Sequence, residues 1–193
     1  MSSKEKQAQW NKIISYYYRA EVEKRNMVFH DDLKEIIDSV SAWLADGFQK
    51  KPWLLLCGGV GTGKSTLSKA VQDWYKYLTC GRKIFGIYIA NYIASNSINA
   101  EEYEILHKTP RLMIDDLGTE SVSVNYYGNI RTPIIDLLHS RYNDRKITVI
   151  STNLTPKQIG ERYGDRILDR LKELAQNIVF TNKSYRDERN RAN

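Results

Sequence analysis

The sequence predicts an α/β fold in which a parallel sheet of about five strands lies between two layers of helices. The first observation is a series of short apolar runs with the length of buried strands. These runs are 53–57, 83–90, 112–114, 147–151 and 177–181. The second observation is that apolar residues recur at helical spacing between the runs, as at 67–78 and 134–142. The third is a length of 193 residues with 41% hydrophobic content, which is enough for one core of this kind.

Two helix starts are marked within this region. Thr132 is followed by Pro133, and Thr155 is followed by Pro156 and Gln158. Proline is favoured at the first helical position, and a threonine followed three residues later by glutamine forms a capping box. We expect helices to begin at both places.

Two more helices are predicted before the first strand, because apolar residues recur at helical spacing in two stretches. The first stretch contains Trp10, Ile13, Ile14, Tyr17 and Tyr18, and the second contains Leu33, Ile36, Ile37, Val40, Trp43 and Leu44. A hinge or loop is expected at 24–31. We therefore divide the chain into a helical extension (1–49), an α/β domain (50–186) and a polar tail (187–193). The aromatic first helix either docks a partner or packs against the domain.

Composition narrows the class of protein. Lys and Arg total 29 against 23 Asp and Glu, for a formal charge of +6, which favours a polyanionic partner without deciding for one. No apolar run of membrane-spanning length and no signal peptide are evident, so we expect a cytoplasmic protein with no membrane partner. Residues 1–49 hold no cysteine, and we expect no zinc-bearing module within them.

A phosphate-binding loop is predicted directly after the first strand. Its pattern rests on Gly58, Gly63, Lys64 and Ser65, and it precedes a helix as such loops do. Glycines let backbone N–H groups turn toward phosphate oxygens, and the helix adds its positive end. We expect Lys64 to reach the β- and γ-phosphates of ATP and Ser65 to ligate magnesium. The alternative is an ordinary glycine turn. The predicted loop is Gly58, Gly59, Val60, Gly61, Thr62, Gly63, Lys64, Ser65 and Thr66.

Polar side chains end two further strands. Asp115 and Asp116 follow the apolar residues at 112–114, and Asn153 follows those at 147–151. Ligands of open α/β sheets bind at the edge where strands end. Asp115 is therefore predicted to hold the magnesium, and Asp116 to orient the attacking water. Asn153 is predicted to hydrogen-bond the γ-phosphate or that water, with a turn leading to the next helix as its alternative role.

These motifs occur in an order that resembles the DnaC/IstB-like branch of the AAA+ ATPases, which contains replicative helicase loaders and transposition helper ATPases. The motifs are Gly58 to Thr66, Asp115-Asp116-Leu117-Gly118, Ser151-Thr152-Asn153-Leu154, Tyr163-Gly164-Asp165-Arg166 with Asp169-Arg170, and Ser184-Tyr185-Arg186. The resemblance covers about 50–186. It implies a Walker A motif at 58–65, a Walker B motif at 115–116 and a sensor-1 role for Asn153. An Asp-Asp pair at the Walker B strand is common in this branch.

The resemblance also implies an arginine finger within 166–170. Arg170 is the first candidate and Arg166 the second, since both lie on one face of the helix that is predicted to begin near Pro156. Their alternative role is an exposed face paired with acidic neighbours, namely Glu161, Asp165 or Glu173. Arg186 could reach the nucleotide or belong to the tail.

The sequence leaves three functions open. The first is a DNA-linked helper ATPase that binds ATP or ADP and forms a nucleotide-dependent homo-oligomer, with single-stranded DNA and a ring helicase or a transposase as partners. The second is a small-molecule P-loop kinase, for which neither an acceptor pocket nor a basic lid is evident. The third is a nucleotide-dependent interaction module with little turnover, because Asp116 is one methylene shorter than glutamate.

Overall fold

The computed structural model describes residues 2–27, 33–95, 98–126, 128–182 and 184–185. Five strands form its central sheet: β1 (Trp53–Gly58), β2 (Gly86–Ile89), β3 (Arg111–Leu117), β6 (Ile147–Thr152) and β7 (Ala175–Phe180). They are all parallel and run in the order β2-β3-β6-β1-β7. A separate antiparallel hairpin consists of β4 (Val124–Tyr126) and β5 (Asn129–Arg131).

Helices cover both faces of the sheet. They are α1 (Ser3–Lys24), α2 (Lys34–Ala45), α3 (Lys64–Leu78), α4 (Ala90–Ile93), α5 (Ala100–Lys108), α6 (Pro133–Asn143), α7 (Pro156–Tyr163) and α8 (Asp165–Leu174). Strand β1 shows how the layers form, because alternate residues of a strand point to opposite faces. Leu54 and Leu56 join one core with α1, α2 and α3, whereas Trp53 and Leu55 join a second core with α4 to α8. The predicted three-layer α/β fold is confirmed.

The two N-terminal helices share the first of these cores. Helix α1 buries Ile14, Tyr18 and Val22, which lie four residues apart on one face. Its Trp10 ring also meets the edge of Trp74 on α3, with ring centroids 5.3 Å apart. Most of the aromatic face of α1 thus packs against the α/β domain, while Tyr16 points to solvent.

Several predicted boundaries differ from the structure. Strand β2 begins at Gly86 and not at residue 83, because the Thr79 hydroxyl donates to Lys83 O (2.8 Å) and accepts from Lys83 N (3.2 Å), which holds that residue in a turn. Strand β7 begins two residues earlier than predicted, directly after α8. Strand β3 continues past its apolar residues to Leu117.

The helix predicted to begin near Pro156 is two helices. It starts as expected, with Thr155 and Gln158 in a capping box, but it ends at Tyr163. Gly164 then has a φ of 88°, a left-handed conformation that glycine adopts without strain. Arg166 and Arg170 both lie on α8, so they remain one turn apart on a single helix.

Helix α5 and the β4–β5 hairpin were not predicted. The start of α5 was readable, because Asn99 and Glu102 form a capping box, but few apolar residues follow it. The second half of the expected hinge, Arg186 and the polar tail lie outside the described residues. Among the helices that the structure describes, none combines the length and apolar character needed to cross a membrane.

Candidate nucleotide-binding site

The predicted phosphate loop connects β1 to α3, and its first and last glycines sit too close to other chain segments for a side chain. A Cβ atom on Gly58 would lie 2.7 Å from both Cβ and O of Phe180. A Cβ on Gly63, where φ is 102°, would lie 2.3 Å from the hydroxyl oxygen of Tyr18. Gly63 is also the residue before α3, whose first turn has backbone N–H groups available to an anion. The glycines therefore fix the loop against its surroundings.

Lys64 folds back over this loop. Its Nζ donates hydrogen bonds to the backbone oxygens of Gly58 (2.9 Å) and Gly59 (2.6 Å), and the residue is only 5% exposed. Burial lowers the pKa of Lys64 below its ordinary value, and the nearby Asp116 and Asp115 carboxylates partly oppose that shift. The ammonium group is thus desolvated at the first turn of α3.

Asp115 forms the centre of a hydrogen-bonded group that spans three elements. The Ser65 hydroxyl on α3 donates to Asp115 Oδ1 at 2.9 Å, and the Ser151 hydroxyl on β6 donates to the same oxygen. Ser151 in turn accepts from the backbone N–H of Asp116 at 2.9 Å. This group fixes the Asp115 carboxylate beside the phosphate loop. Ser151 was quoted from the sequence only as part of a motif, and its contact with Asp115 was not predicted.

Asp116 occupies an unusual backbone position. Its φ is 56°, and the pairing of β3 with β6 shifts register between Ile114 and Leu117. Aspartate tolerates left-handed backbone better than most residues, and such an irregularity re-aims the side chain. Asp116 consequently lines the cavity beside the loop, whereas the adjacent Asp115 lies behind Ser65.

A cavity of about 550 Å³ joins these parts. Its lining residues are Arg25, Met27, Val60, Gly61, Thr62, Gly63, Lys64, Ser65, Thr66, Asp116, Thr119, Asn153 and Tyr185. Seven of the nine predicted loop residues, Asp116 and Asn153 are therefore brought together at one place. Gly58 and Gly59 contribute through their hydrogen bonds to Lys64 instead.

Four lining residues were not predicted. Arg25 and Met27 come from the chain just after α1, Thr119 follows β3, and Tyr185 lies near the C-terminal end. The C-terminal segment is held to the loop, because the backbone N–H of Tyr185 donates to Gly61 O at 3.0 Å. Tyr185 was quoted from the sequence only as part of the Ser184-Tyr185-Arg186 motif. The other three carried no signal of their own, since each reaches the cavity only through the packing of a distant segment.

The two arginine-finger candidates lie away from the cavity lining. Arg166 is exposed on α8. Arg170 contacts Nδ1 of His139 on α6, and its guanidinium carbon lies 4.3 Å from the centroid of the Tyr142 ring. Two of the three acidic residues proposed as alternative partners have other contacts: Tyr142 donates to Glu173 at 2.6 Å, and Lys157 pairs with Glu161 at 3.7 Å. The structure thus places Arg170 on an aromatic support at the outer surface of α8.

A buried carboxylate connects the end of β3 to α7. Glu120 is 2% exposed, and its carboxylate accepts from the Tyr163 hydroxyl and from the backbone N–H of Gly118 at 2.9 Å. Arg162 also donates to the backbone oxygen of Glu120. Burial, together with the Glu120 hydrogen bond, raises the pKa of Tyr163, which therefore stays protonated as a donor. The segment that follows Asp116 is consequently fixed to the helix before α8.

No family model matches the sequence, and no curated protein matches it. Solved structures do match. The crystal structure of DnaI is 22% identical with a TM-score of 0.62, covering 81% of this chain and 89% of that one. The DnaC helicase loader is 17% identical with a TM-score of 0.60, covering 79% and 92%.

A further match is the replication initiator DnaA bound to AMPPCP and single-stranded DNA. It is 17% identical with a TM-score of 0.57, and the alignment covers 83% of this chain but only 50% of DnaA. At such identities the likeness concerns the fold. The chain has the DnaC-like AAA+ fold.

Proposed function

We propose that this chain binds ATP with magnesium, hydrolyses it, and acts as a DNA-linked helper ATPase that assembles through nucleotide. One observation carries the proposal: a single cavity brings together the glycine loop, Lys64, Asp116 and Asn153, with the Ser65–Asp115 pair at its edge. An ordinary glycine turn does not require this convergence. ATP or ADP is the ligand class that such a loop fits.

Lys64 is the residue for the phosphates. In the structure its ammonium group donates to two carbonyl oxygens of its own loop, those of Gly58 and Gly59. Phosphate oxygens carry more negative charge and would draw the ammonium group away from those carbonyls. Because the group is already desolvated, little hydration has to be removed when it meets the ligand.

Magnesium fits the Ser65–Asp115 pair. Mg²⁺ prefers oxygen ligands, and this pair offers a hydroxyl and a carboxylate side by side at the phosphate loop. The Ser65 hydroxyl uses its proton in the hydrogen bond to Asp115. The lone pairs of the serine oxygen are therefore available to the cation. When bound, the cation supplies charge neutralisation to the phosphates. Asp115 and Ser151 keep the serine oriented for this role.

Asp116 and Asn153 are assigned to the attacking water and the γ-phosphate. Both line the same cavity as the loop. A short aspartate side chain favours an interaction module with little turnover, because it reaches the water less well than glutamate would. The left-handed backbone at Asp116 favours turnover, because the irregularity in β3 turns the carboxylate toward the cavity.

The DNA part is supported by the similar structures. One similar structure is a DnaC helicase loader, and another is DnaA bound to AMPPCP and single-stranded DNA. We infer single-stranded DNA as a partner, with a ring helicase favoured over a transposase as protein partner. The transposase-linked, IstB-like part of the resemblance stays a prediction.

The nucleotide part is tested by ATP binding and phosphate release in the presence and absence of magnesium. Lys64→Ala is expected to weaken ATP binding about 30-fold or more, since it removes a charged hydrogen-bond partner from a desolvated site. Asp115→Asn should mainly reduce the dependence on magnesium. Lys157→Ala is the matched control, because Lys157 is an exposed lysine on α7. Equal ATP affinity in the Lys64 and Lys157 variants would refute the phosphate-loop assignment.

The assembly part assigns Arg170 to the site of a neighbouring subunit. An arginine finger reaches the nucleotide either from a neighbouring subunit or from the same chain. Arg170 is not among the residues that line the cavity of its own chain. Arg170→Ala should preserve ATP binding but lower hydrolysis that depends on protein concentration, on the order of 10³-fold at full effect. Arg166→Ala should have the smaller effect.

A mixing experiment gives the assembly proposal a sharper test. Lys64→Ala subunits that cannot hold ATP are combined with Arg170→Ala subunits that can. Mixed interfaces then pair an intact cavity with an intact Arg170, and part of the activity should return. If specific activity does not depend on concentration and the mixture gains nothing, Arg170 is a surface charge and a monomeric kinase becomes the favoured function.

A further inference from the structure

Three tyrosines form a continuous aromatic surface across α1 and α3, which we call the tyrosine ladder: Tyr16, Tyr17 and Tyr77. The rings of Tyr16 and Tyr17 have centroids 5.4 Å apart, and those of Tyr17 and Tyr77 are 6.5 Å apart. Tyr16 is 68% exposed and Tyr77 is 61% exposed, with Tyr17 half-buried between them. Two rings therefore present much of their surface to solvent around a third that supports them.

The fold itself does not require these two rings. Helix α1 contacts the core through Ile14, Tyr18 and Val22, and Tyr16 lies on a different face of the helix. Tyr77 is in the last turn of α3, after the buried Trp74 and Tyr75. Large exposed aromatic surface is uncommon without a binding role.

Positive charge surrounds the ladder. Lys12 and Arg19 lie four residues before and three residues after Tyr16 on α1, which puts all three on one face of the helix. Lys76 precedes Tyr77, and all three basic residues are exposed. The acidic residue beside Tyr17 is Asp73, and its charge is already paired with Lys69 at 3.3 Å.

Within α1, the exposed face between residues 9 and 23 has no aliphatic side chain. Its exposed members are Gln9, Lys12, Tyr16, Arg19 and Glu23. Tyrosine and arginine also occur at protein interfaces, whereas lysine is depleted there. Aromatic rings flanked by two lysines and an arginine are the combination that binds single strands, with bases on the rings and phosphates beside the cations.

We propose that the tyrosine ladder binds single-stranded nucleic acid, with bases stacked on Tyr16 and Tyr77 and the backbone beside Lys12, Arg19 and Lys76. This inference rests on the proposed function, in which single-stranded DNA is a partner, and it assigns that partner a place. Stacking is tolerant of sequence because every base has an aromatic face. The surface lies on the two helices that contact the phosphate loop, since α3 begins at Lys64 and Tyr18 of α1 packs on Gly63.

The test uses the full chain with ATP and magnesium and a fluorescein-labelled oligo(dT), whose binding is followed by fluorescence anisotropy. Tyr16→Ala combined with Tyr77→Ala should weaken binding by about 5- to 150-fold for each stack lost. Tyr16→Phe combined with Tyr77→Phe should retain most of the affinity, because phenylalanine keeps the aromatic face. Tyr92→Ala is the matched control, since Tyr92 is also exposed but lies on α4.

Charge variants test the phosphate part of the surface. Lys12→Gln and Arg19→Gln should each reduce the slope of log affinity against log salt by about 0.7, as expected when one phosphate contact to a single strand is lost. The exposed Lys157 on α7 provides the control as Lys157→Gln. Equal slopes for all three variants would remove the proposed phosphate contacts.

ATP binding and turnover are measured on the same samples, so that the two proposals can fail separately. If wild type binds oligo(dT) and the alanine pair binds equally well, the DNA site is elsewhere; this inference is wrong and the proposed function stands. If wild type does not bind oligo(dT) at low salt, the inference and the direct-DNA part of the proposed function both fail, whatever the ATP results. If the alanine pair loses self-association but not oligo(dT) affinity, the surface belongs to a second copy of the chain and the inference is again wrong.

A measurement on the wild-type chain covers the case in which the alanine pair does not fold. An oligonucleotide that contains 5-iododeoxyuridine is photocrosslinked to the protein, and the attached peptides are identified by mass spectrometry. Crosslinks at Tyr16, Tyr17 or Tyr77 support the inference. Crosslinks confined to other segments overturn it.

Discussion

Gly63→Ala is expected to damage both the phosphate loop and its contact with helix α1. Two effects add. The φ of 102° at Gly63 is a conformation in which an alanine costs about 1–3 kcal/mol. The new Cβ would also lie 2.3 Å from the Tyr18 hydroxyl oxygen and 3.1 Å from Cε2 of Tyr185. Overpacking of this kind costs about 1–3 kcal/mol.

The contact cannot be relieved by a simple rotation of Tyr18. That side chain is 1% exposed and packs in the core shared by α1 and α3. Alanine also restricts the unfolded chain, which offsets about 0.4–1 kcal/mol. We therefore expect the free energy of unfolding to fall by about 1–6 kcal/mol. ATP affinity should fall as well, because the loop or α1 has to move.

Two variants separate the backbone effect from the contact. Gly81 has a φ of 76° with nothing within 4 Å of its Cβ position, so Gly81→Ala measures the backbone effect alone. Tyr18→Phe removes the hydroxyl and leaves Cζ of that side chain 3.5 Å from the new Cβ, which is an ordinary contact. Adding Tyr18→Phe to Gly63→Ala should therefore recover about 1–3 kcal/mol relative to the sum of the single variants.

The assay is chemical denaturation of all four variants and wild type, together with titration of a fluorescent ATP analogue. The reasoning is refuted if Gly63→Ala is no more destabilising than Gly81→Ala. It is equally refuted if Tyr18→Phe gives no recovery, because Tyr18 would then not pack on the loop in solution.

The remaining predictions concern buried polar groups. Burial lowers the pKa of Lys64, whereas bound phosphate favours its ammonium form. ATP affinity should therefore fall as pH rises through that lowered pKa, by up to about tenfold per pH unit. Titrations of the Lys64→Arg variant with ATP should lack this slope. Arg141 is fully buried and donates to Thr148 and to three backbone oxygens. Arg141→Met should therefore lower the free energy of unfolding, measured in urea, by about 3–5 kcal/mol. A loss below about 1 kcal/mol would contradict this. Tyr163→Phe leaves the buried Glu120 carboxylate with one donor fewer and should cost about 1–3 kcal/mol by the same measurement.

Much of the fold followed from local sequence patterns, because strands and helices leave periodic signals. The apolar residues of β1 and the capping box of α7 each carry their information within a few neighbouring residues. The order of the strands was not predicted, because periodicity within a strand does not show which strands are its neighbours. Elements with weak apolar periodicity, such as α5 and the β4–β5 hairpin, were missed for that reason.

The candidate site was predictable only where its residues follow one another along the chain or end a strand. The glycine loop, Asp116 and Asn153 meet at one cavity as expected, because parallel strands end at the same edge of the sheet. The left-handed backbone at Asp116 was not predictable, since it arises from a register shift between β3 and β6. Pairing between strands is a property of the folded chain, and a single strand carries no sign of it.

The phosphate loop is held by segments from both ends of the chain, and local sequence patterns carry no sign of such distant contacts. Tyr18, from the first helix, lies against Gly63, and the Tyr185 backbone donates to Gly61 near the other end. Asn182 adds a hydrogen bond to Thr62 O at 3.1 Å across a separation of 120 residues. Any movement of α1 or of the C-terminal segment must therefore change contacts of the loop itself. A partner that shifts α1 would change the contact of Tyr18 with Gly63, and the Gly63–Tyr18 double-mutant cycle measures the coupling energy of that contact.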